Sequence, residues 1–242
     1  MIYSFQSHEE LDSTNRLAHE LAKNGAPEGT VVTARRQTNG RGRFGRSFFS
    51  PDGTGLYMSI ILRPALSVDR VLYITTAAAA AVARAVERLT GETAQIKWVN
   101  DVYYRGKKVA GILTEGAVSG DTLAYAVLGI GVNVAPPNGG FPTEIIRKAG
   151  TLFDTPCDKC DELCRHILDY FDEYYGTLTQ KPFLEDYRSR SLLNGKTVQL
   201  LSTDDVPIET ATVLGIDDEC ALIVQTKDGI RHLQSGDVSL RL

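Results

Sequence analysis

The chain has 242 residues, of which 43% are hydrophobic and 23% charged, and a formal net charge of −4. That is the composition of a folded globular protein and excludes global disorder. The acidic balance argues against a dedicated nucleic-acid binder, and no apolar run reaches the roughly 18–20 residues of a membrane span. The first residues, MIYSFQSHEELDST, lack the basic and apolar regions of a secretory signal, which points to the cytosol.

Asp12-Ser13-Thr14, ahead of Leu17, Ala18 and Leu21, predicts a capped helix from about Ser13 to Asn24, closed by Gly25-Ala-Pro27. Thr30 to Ala34 is β-branched and reads as a strand, and Gly55 to Pro64 as a second. Asp69 to Leu89 is an alanine-rich buried helix, stopped at Thr90-Gly91. Gln95 to Trp98 is a short strand. Val102 to Tyr104 and Val109 to Glu115 flank a hairpin turn at Arg105-Gly106-Lys107, and Ala124 to Val134 is another strand. Cys157 to Leu178 is a long amphipathic helix, and Phe183 to Ser189 a shorter one.

After Leu193-Asn194-Gly195 the texture changes. Thr197 to Leu201, Thr210 to Ile216, Ala221 to Gln225 and Val238 to Leu240 are short strands between turns, which suggests a small β-barrel or sandwich. The expected organisation is therefore an α+β domain with a mixed sheet over residues 1–193 and a β domain over 194–242. Cys157, Cys160 and Cys164 follow helical spacing and match no zinc pattern, so they read as core cysteines.

The chemistry concentrates in GRGRFGRSFFSPDGTG, from Gly40 to Gly55. Arg35, Arg36, Arg41, Arg43 and Arg46 fall in twelve residues with no acid among them, a local cationic segment suited to a small anion. Gly40 to Gly45 spells G-x-G-x-x-G, but a dinucleotide fingerprint must open into a helix. Here Pro51, Gly53 and Gly55 follow and forbid one. A glycine-rich loop loses much chain entropy on folding, so an anion is expected to order it. Lys97-Trp98-Val99-Asn100-Asp101 at a strand end, Lys108 opening the next strand, and Gly129-Ile-Gly131-Val-Asn133 could converge on the same ligand.

The set Asp12-Ser-Thr-Asn15, Gln37, Gly40-Arg-Gly-Arg43-x-Gly-Arg46, Lys97-Trp-x-Asn-Asp101, Lys108-x-Ala-Gly-Ile-Leu113 and Gly129-x-Gly-x-Asn133 resembles the biotin protein ligases over essentially the whole chain. One form of that family carries an N-terminal helix-turn-helix domain. This chain begins twelve residues before Ser13 and resembles the ligase-only form. It departs from the family pattern at Val99, where proline is usual, and at Phe48, where tryptophan is common.

The resemblance implies a class II synthetase-like catalytic domain with a small C-terminal SH3-like β-barrel. It implies activation of biotin by MgATP to biotinyl-5′-AMP and transfer to a lysine of a biotin carboxyl carrier domain. Ser13, Thr14, Asn15, Gln37, Arg41, Gly42, Arg43, Lys108 and Gly111 would hold biotin. Gly40, Arg43, Arg46, Phe48, Lys97, Asn100 and Asn133 would hold the nucleotide, with Phe48 stacked on adenine and Asn133 reading it. Arg43, Lys108 and Asp101 form the catalytic set, Asp101 either orienting the acceptor lysine or assisting magnesium. No dedicated protein metal site, nucleic acid or membrane is expected, and the resemblance leaves a homodimer open. The competing readings are a lipoate-type acyl-adenylate ligase, a non-catalytic biotin sensor and an RNA-binding module.

Overall fold

The computed structural model describes residues 1–204 and 206–234 fully and the backbone of Ser239–Arg241. The first part of the chain forms β1 (Ser4–Leu11), α1 (Thr14–Lys23), β2 (Thr30–Gln37) and β3 (Gly55–Leu62). Then follow α2 (Val71–Thr90), β4 (Gln95–Lys97), β5 (Asp101–Tyr104), β6 (Lys107–Ser119) and β7 (Thr122–Asn133). α3 (Cys160–Tyr175) and α4 (Leu184–Ser189) complete this part. The strands make one seven-stranded sheet in the order β1-β2-β3-β7-β6-β5-β4. β1 and β2 run parallel, joined across α1, and the other pairs are antiparallel, so the sheet is mixed as expected.

Both faces of this sheet are covered. α1 packs Ala18 and Ala22 against Val32, Ile61 and Val127 on one side. α2 and α3 cover the other side within the main core. All eight residues of β3 are therefore buried, which explains why it reads as an unbroken apolar run rather than an alternating one. The alanines of α2 from Ala77 to Ala81 are fully buried, because small side chains let the helix approach its neighbours closely. Gly91, at φ 76°, ends that helix in the left-handed conformation that glycine adopts without strain. No helix among the described residues is long and apolar enough to cross a membrane.

The hairpin turn between β5 and β6 has positive φ at both Arg105 and Gly106, the twist that matches antiparallel strands. Two expectations need correction, and one strand is an addition. Ser13 stands at the N-cap of α1 but makes no capping bond; its backbone N–H donates to Asp12 at 2.7 Å and its side chain lines a cleft instead. α3 is shorter than the Cys157–Leu178 span, beginning at Cys160 and ending before Gly176, with Leu178–Gln180 in a separate 3-10 turn. β1 was not foreseen, because it is a polar, largely exposed edge strand with no apolar alternation. Cys157, Cys160 and Cys164 pack on the main core, and burial pushes the Cys160 thiol up to about 11 and Cys164 to about 12.

The C-terminal part adds β8 (Thr197–Leu201), β9 (Pro207–Ile216), β10 (Leu222–Thr226), β11 (Gly229–Leu233) and β12 (Ser239–Arg241). They form a five-stranded antiparallel sheet, β11-β10-β9-β8-β12. β11 is an addition to the expected strands, and Val238 lies outside the described residues.

The turn between β9 and β10 grips the first part of the chain. Arg188 donates to the Ile216 carbonyl and to Asp218, and Lys181 to the Asp218 carbonyl and Glu219. The Trp98 indole N–H donates to the Cys220 carbonyl at 3.0 Å, and the Tyr187 hydroxyl to the Val99 carbonyl at 2.9 Å. Both bonds are buried and hold the segment between β4 and β5, whose Trp98–Val99 peptide is cis. Trp98→Phe orphans the Cys220 carbonyl and also leaves a smaller ring in a buried site, so it should lower stability by at least about 1–3 kcal/mol in a denaturant titration. An unchanged midpoint would show that the bond contributes nothing.

Candidate active site

One cleft lies over the sheet where the loop between β2 and β3 folds across the ends of α1, β4, β5 and β6. Its lining includes Ser13, Thr14, Asn15, Gln37, Arg41, Gly42, Arg43, Arg46, Phe48, Lys97, Asn100, Asp101, Lys108 and Gly111. All but two of the expected site residues therefore meet in one place. Met58, Trp98, Ile112, Leu113 and Ile130 add apolar surface to the same lining.

One end is a buried polar relay. Gln37, closing β2, accepts from the Thr14 N–H at 2.8 Å and the Thr14 hydroxyl at 3.1 Å, and donates to Ser50 at 2.9 Å. The Ser59 hydroxyl lies 2.8 Å from the Thr14 hydroxyl and 2.6 Å from Asn15 Oδ1. Asn15 Nδ2 donates to Glu115 at 2.9 Å. Buried polar groups are stable only when partnered. This network therefore fixes the side chains that line the cleft. Both ends of the Asn15 amide are engaged by protein atoms, which hold it in place where it lines the cleft.

The loop from Gly40 to Gly55 carries ties of its own. Isolated bridges pair Gln37 with Ser50 and Arg41 with Ser47, and Arg43–Gly45 forms a 3-10 turn. Arg41 pairs with Glu115 at 3.1 Å. Arg43 donates to Asn100 Oδ1 at 3.1 Å, and its guanidinium lies 4.7 Å from the centre of the Phe44 ring. Gly40 lies outside the lining: a Cβ there would meet the Phe48 carbonyl at 2.3 Å, so its task is to close the loop.

The other end is cationic. Asp101 opens β5 opposite Lys97 on β4, and Lys108 stands near the start of β6. Lys108 Nζ sits 2.5 Å from Asp101 Oδ1. Burial pushes the Lys97 ammonium and the Arg43 guanidinium below their ordinary pKa values, with Asp101 opposing in both cases. Lys108, Lys148 and Arg46 add to the downward push on Lys97. Among the described residues Asp101 is the one acidic side chain in a lining that holds Arg41, Arg43, Arg46, Lys97 and Lys108. Such an excess of positive charge is matched by a polyanionic ligand. Asn100 is held rigid by donating to the Ile112 carbonyl at 2.7 Å, and so presents its oxygen to Arg43.

Phe48 lies against the sheet, with its ring over Gly131 and Gly111 and edge-on to Tyr57 at 6.4 Å. Asn133 is placed outside the lining; at the end of β7 it donates to the Gly150 carbonyl at 3.1 Å. That bond uses one N–H and leaves the second N–H and Oδ1 of the amide for other partners. Sequence reasoning missed Ser59 and Glu115. Ser59 had a signal, a serine within the apolar run of β3. Glu115 had none, since its partners lie far away in the chain.

The sequence matches the Biotin/lipoate A/B protein ligase family over residues 8–133 and the Biotin protein ligase C terminal domain over residues 194–241. It is 37% identical over 238 residues to the bifunctional ligase/repressor BirA of Bacillus subtilis, covering 96% of this chain and 73% of the relative. It is 31% identical over 240 residues to the biotin--[acetyl-CoA-carboxylase] ligase of Mycobacterium tuberculosis, covering 93% of this chain and 85% of the relative. Among solved structures, biotin protein ligase from Aquifex aeolicus in complex with biotin and ATP is similar at a TM-score of 0.82 and 32% identity, covering 99% of each chain. The chain belongs to the biotin/lipoate protein ligase family, and within it to the biotin protein ligases.

Proposed function

We propose that the chain activates biotin with ATP as biotinyl-5′-AMP and transfers it to a lysine of a biotin carboxyl carrier domain. The observation that carries this reading is the meeting, in one cleft, of a buried hydrogen-bonding relay and a cluster of cations around one carboxylate. The Aquifex neighbour's complex supports biotin and ATP as substrates, and the name of the Mycobacterium relative supports a carboxylase carrier domain as acceptor.

In the first step a biotin carboxylate oxygen attacks the α-phosphorus of ATP. The new P–O bond forms as the bridge to the β-phosphate breaks, and pyrophosphate leaves. Both reactants are anions and repel one another until cations stand between them. Lys108 and Arg43 are assigned that task, and Arg46, exposed on the loop, the departing pyrophosphate. Ser13, Thr14, Gln37 and the backbone of Arg41 and Gly42 are assigned the ureido ring, which needs oriented donors and acceptors. Lys97, Asn100 and Phe48 are assigned the nucleotide.

In the second step the acceptor amine attacks the acyl carbon. A C–N bond forms, the C–O bond to AMP breaks, and the amine gives up a proton. Among the described residues no three His, Cys, Asp or Glu side chains cluster as a protein metal cage requires. Magnesium is therefore assigned to the nucleotide phosphates, and Asp101 either to that ion or to the incoming lysine. Positioning and charge stabilisation are the protein's main contributions. The closed loop keeps water from the mixed anhydride.

A Cβ at Gly131 would lie 2.6 Å from the Phe48 ring. Gly131→Ala should displace that ring and raise the KM for ATP roughly three- to tenfold, the worth of about one aromatic contact. An unchanged ATP titration would remove Phe48 from the nucleotide side. The reading as a whole is tested by pyrophosphate release from MgATP with biotin, run beside lipoate, before acceptor is added. Release with biotin alone is the expected result. Release with lipoate alone would make the protein a lipoate ligase. Silence in both, with biotin still bound, would make it a sensor.

A further inference from the structure

Glu115, on β6, takes no part in the proposed chemistry, yet it touches both halves of the cleft. Oε1 lies 3.1 Å from Arg41 Nη2 on the loop. Oε2 accepts from Asn15 Nδ2 at 2.9 Å and lies 3.5 Å from Arg41 Nη1. His19 Nε2 stands 3.7 Å from the same oxygen, and its Nδ1 3.5 Å from the Tyr125 hydroxyl. Burial pushes the His19 imidazole below its ordinary pKa, against the pull of Glu115. Burial and Arg41 both disfavour the protonated imidazole, so Arg41 is the lasting positive charge facing Glu115.

A carboxylate engaged on both oxygens by two residues has less rotational freedom, and charge-assisted bonds to arginine are the stronger kind. If the loop lifts, Glu115 loses Arg41 and is left half-buried beside the Asn15 amide and the His19 ring. If Asn15 shifts, Glu115 loses the bond that aims it at Arg41. The Asn15 oxygen in turn contacts Ser59, which contacts Thr14, which contacts Gln37. Loop and relay thus share one carboxylate.

We propose that Glu115 is a positioning residue that latches the arginine loop through Arg41 while fixing, through Asn15, the relay that receives the ureido ring. Its consequence for turnover rests on the ligase reading above; the latch itself rests on the contacts of the protein alone. Closing the loop and shaping the pocket then become one event, so a substrate that orders the relay also favours the closed loop.

The experiment is hydrogen exchange of the amides of residues 41–48, first without substrates. Glu115→Gln keeps an oxygen for Asn15 and removes the charge facing Arg41. Arg41→Gln removes the other partner. Each should speed exchange at Gly42 and Phe48, whose N–H groups close the loop, by up to about fivefold, as loss of one part-exposed ion pair allows. The double variant should add nothing further, because the same pair is already lost. Exchange in α2 should not change, which shows that the fold is intact. Glu115→Ala, which also abandons Asn15, should weaken biotin binding in calorimetry, whereas Glu115→Gln should leave it within about threefold. In turnover, Glu115→Gln should lose more activated biotin to water before acceptor is added, with its KM for biotin nearly unchanged.

Unchanged loop exchange in both single variants, or additive effects in the double, would overturn the latch. Equal biotin affinity in the Gln and Ala variants would overturn the link to the relay. Failure of the wild-type protein to release pyrophosphate with biotin would instead sink the ligase reading, and the exchange result would still decide the latch.

Discussion

Lys108→Ala should slow biotin-dependent pyrophosphate release by about 10²–10³-fold, the cost of removing one donor aimed at developing charge. Lys108 Nζ lies 2.5 Å from Asp101 Oδ1, and the two stand on neighbouring strands of one sheet. Removing its ammonium takes away one cation expected to separate the biotin carboxylate from the α-phosphate. The relay of Thr14, Gln37 and Ser59 is untouched by this change, so biotin should still bind within a few-fold of wild type. The effect should therefore fall on the chemical step and not on biotin affinity. Rapid-quench measurement of pyrophosphate beside calorimetry with biotin separates the two. Pyrophosphate release at the wild-type rate would take Lys108 out of the catalytic set.

Gly129→Ala should have the second large effect, at the other end of the cleft. A Cβ there would fall 2.1 Å from Asn15 Oδ1 and 2.8 Å from its Cγ. Asn15 is buried and held at both ends, so it has no room to yield. The amide must leave its place, and its bonds to Ser59 and Glu115 go with it. Each buried bond broken costs about 1–3 kcal/mol, so biotin affinity should fall roughly tenfold to a hundredfold, with a lower melting temperature. Gly176→Ala is the control, because the nearest atom to its Cβ would be 3.9 Å away. Wild-type biotin affinity in Gly129→Ala would mean that the relay does not shape the pocket.

What could be read in the sequence was what punctuation and local pattern encode. Glycine and proline around the arginines placed that segment in a loop between two strands, and β2 and β3 flank it. Tight sequence spacing brought Lys97, Asn100, Asp101 and Lys108 to one end of the sheet through a short hairpin. What stayed hidden depends on contacts across long stretches of chain. Asn15 meets Glu115 across 100 residues, and Trp98 meets Cys220 across 122. No periodicity reports such pairs. For the same reason the C-terminal part, read only as a run of short strands, gave no hint that its turn at Asp217–Cys220 holds the segment bearing Asn100 and Asp101. Gly40 and Asn133 carry structural ties that residue type does not announce. Their residue types suit a ligand site, but the fold uses Gly40 to close a loop and the Asn133 amide to tie β7 to Gly150.

The most direct test is to incubate the protein with MgATP and biotin, without acceptor, separate it rapidly from free nucleotide, and identify the retained species by mass spectrometry. The account predicts biotinyl-5′-AMP bound to the protein, with an equal amount of pyrophosphate released. Recovery of unmodified biotin, with no pyrophosphate formed, would contradict it.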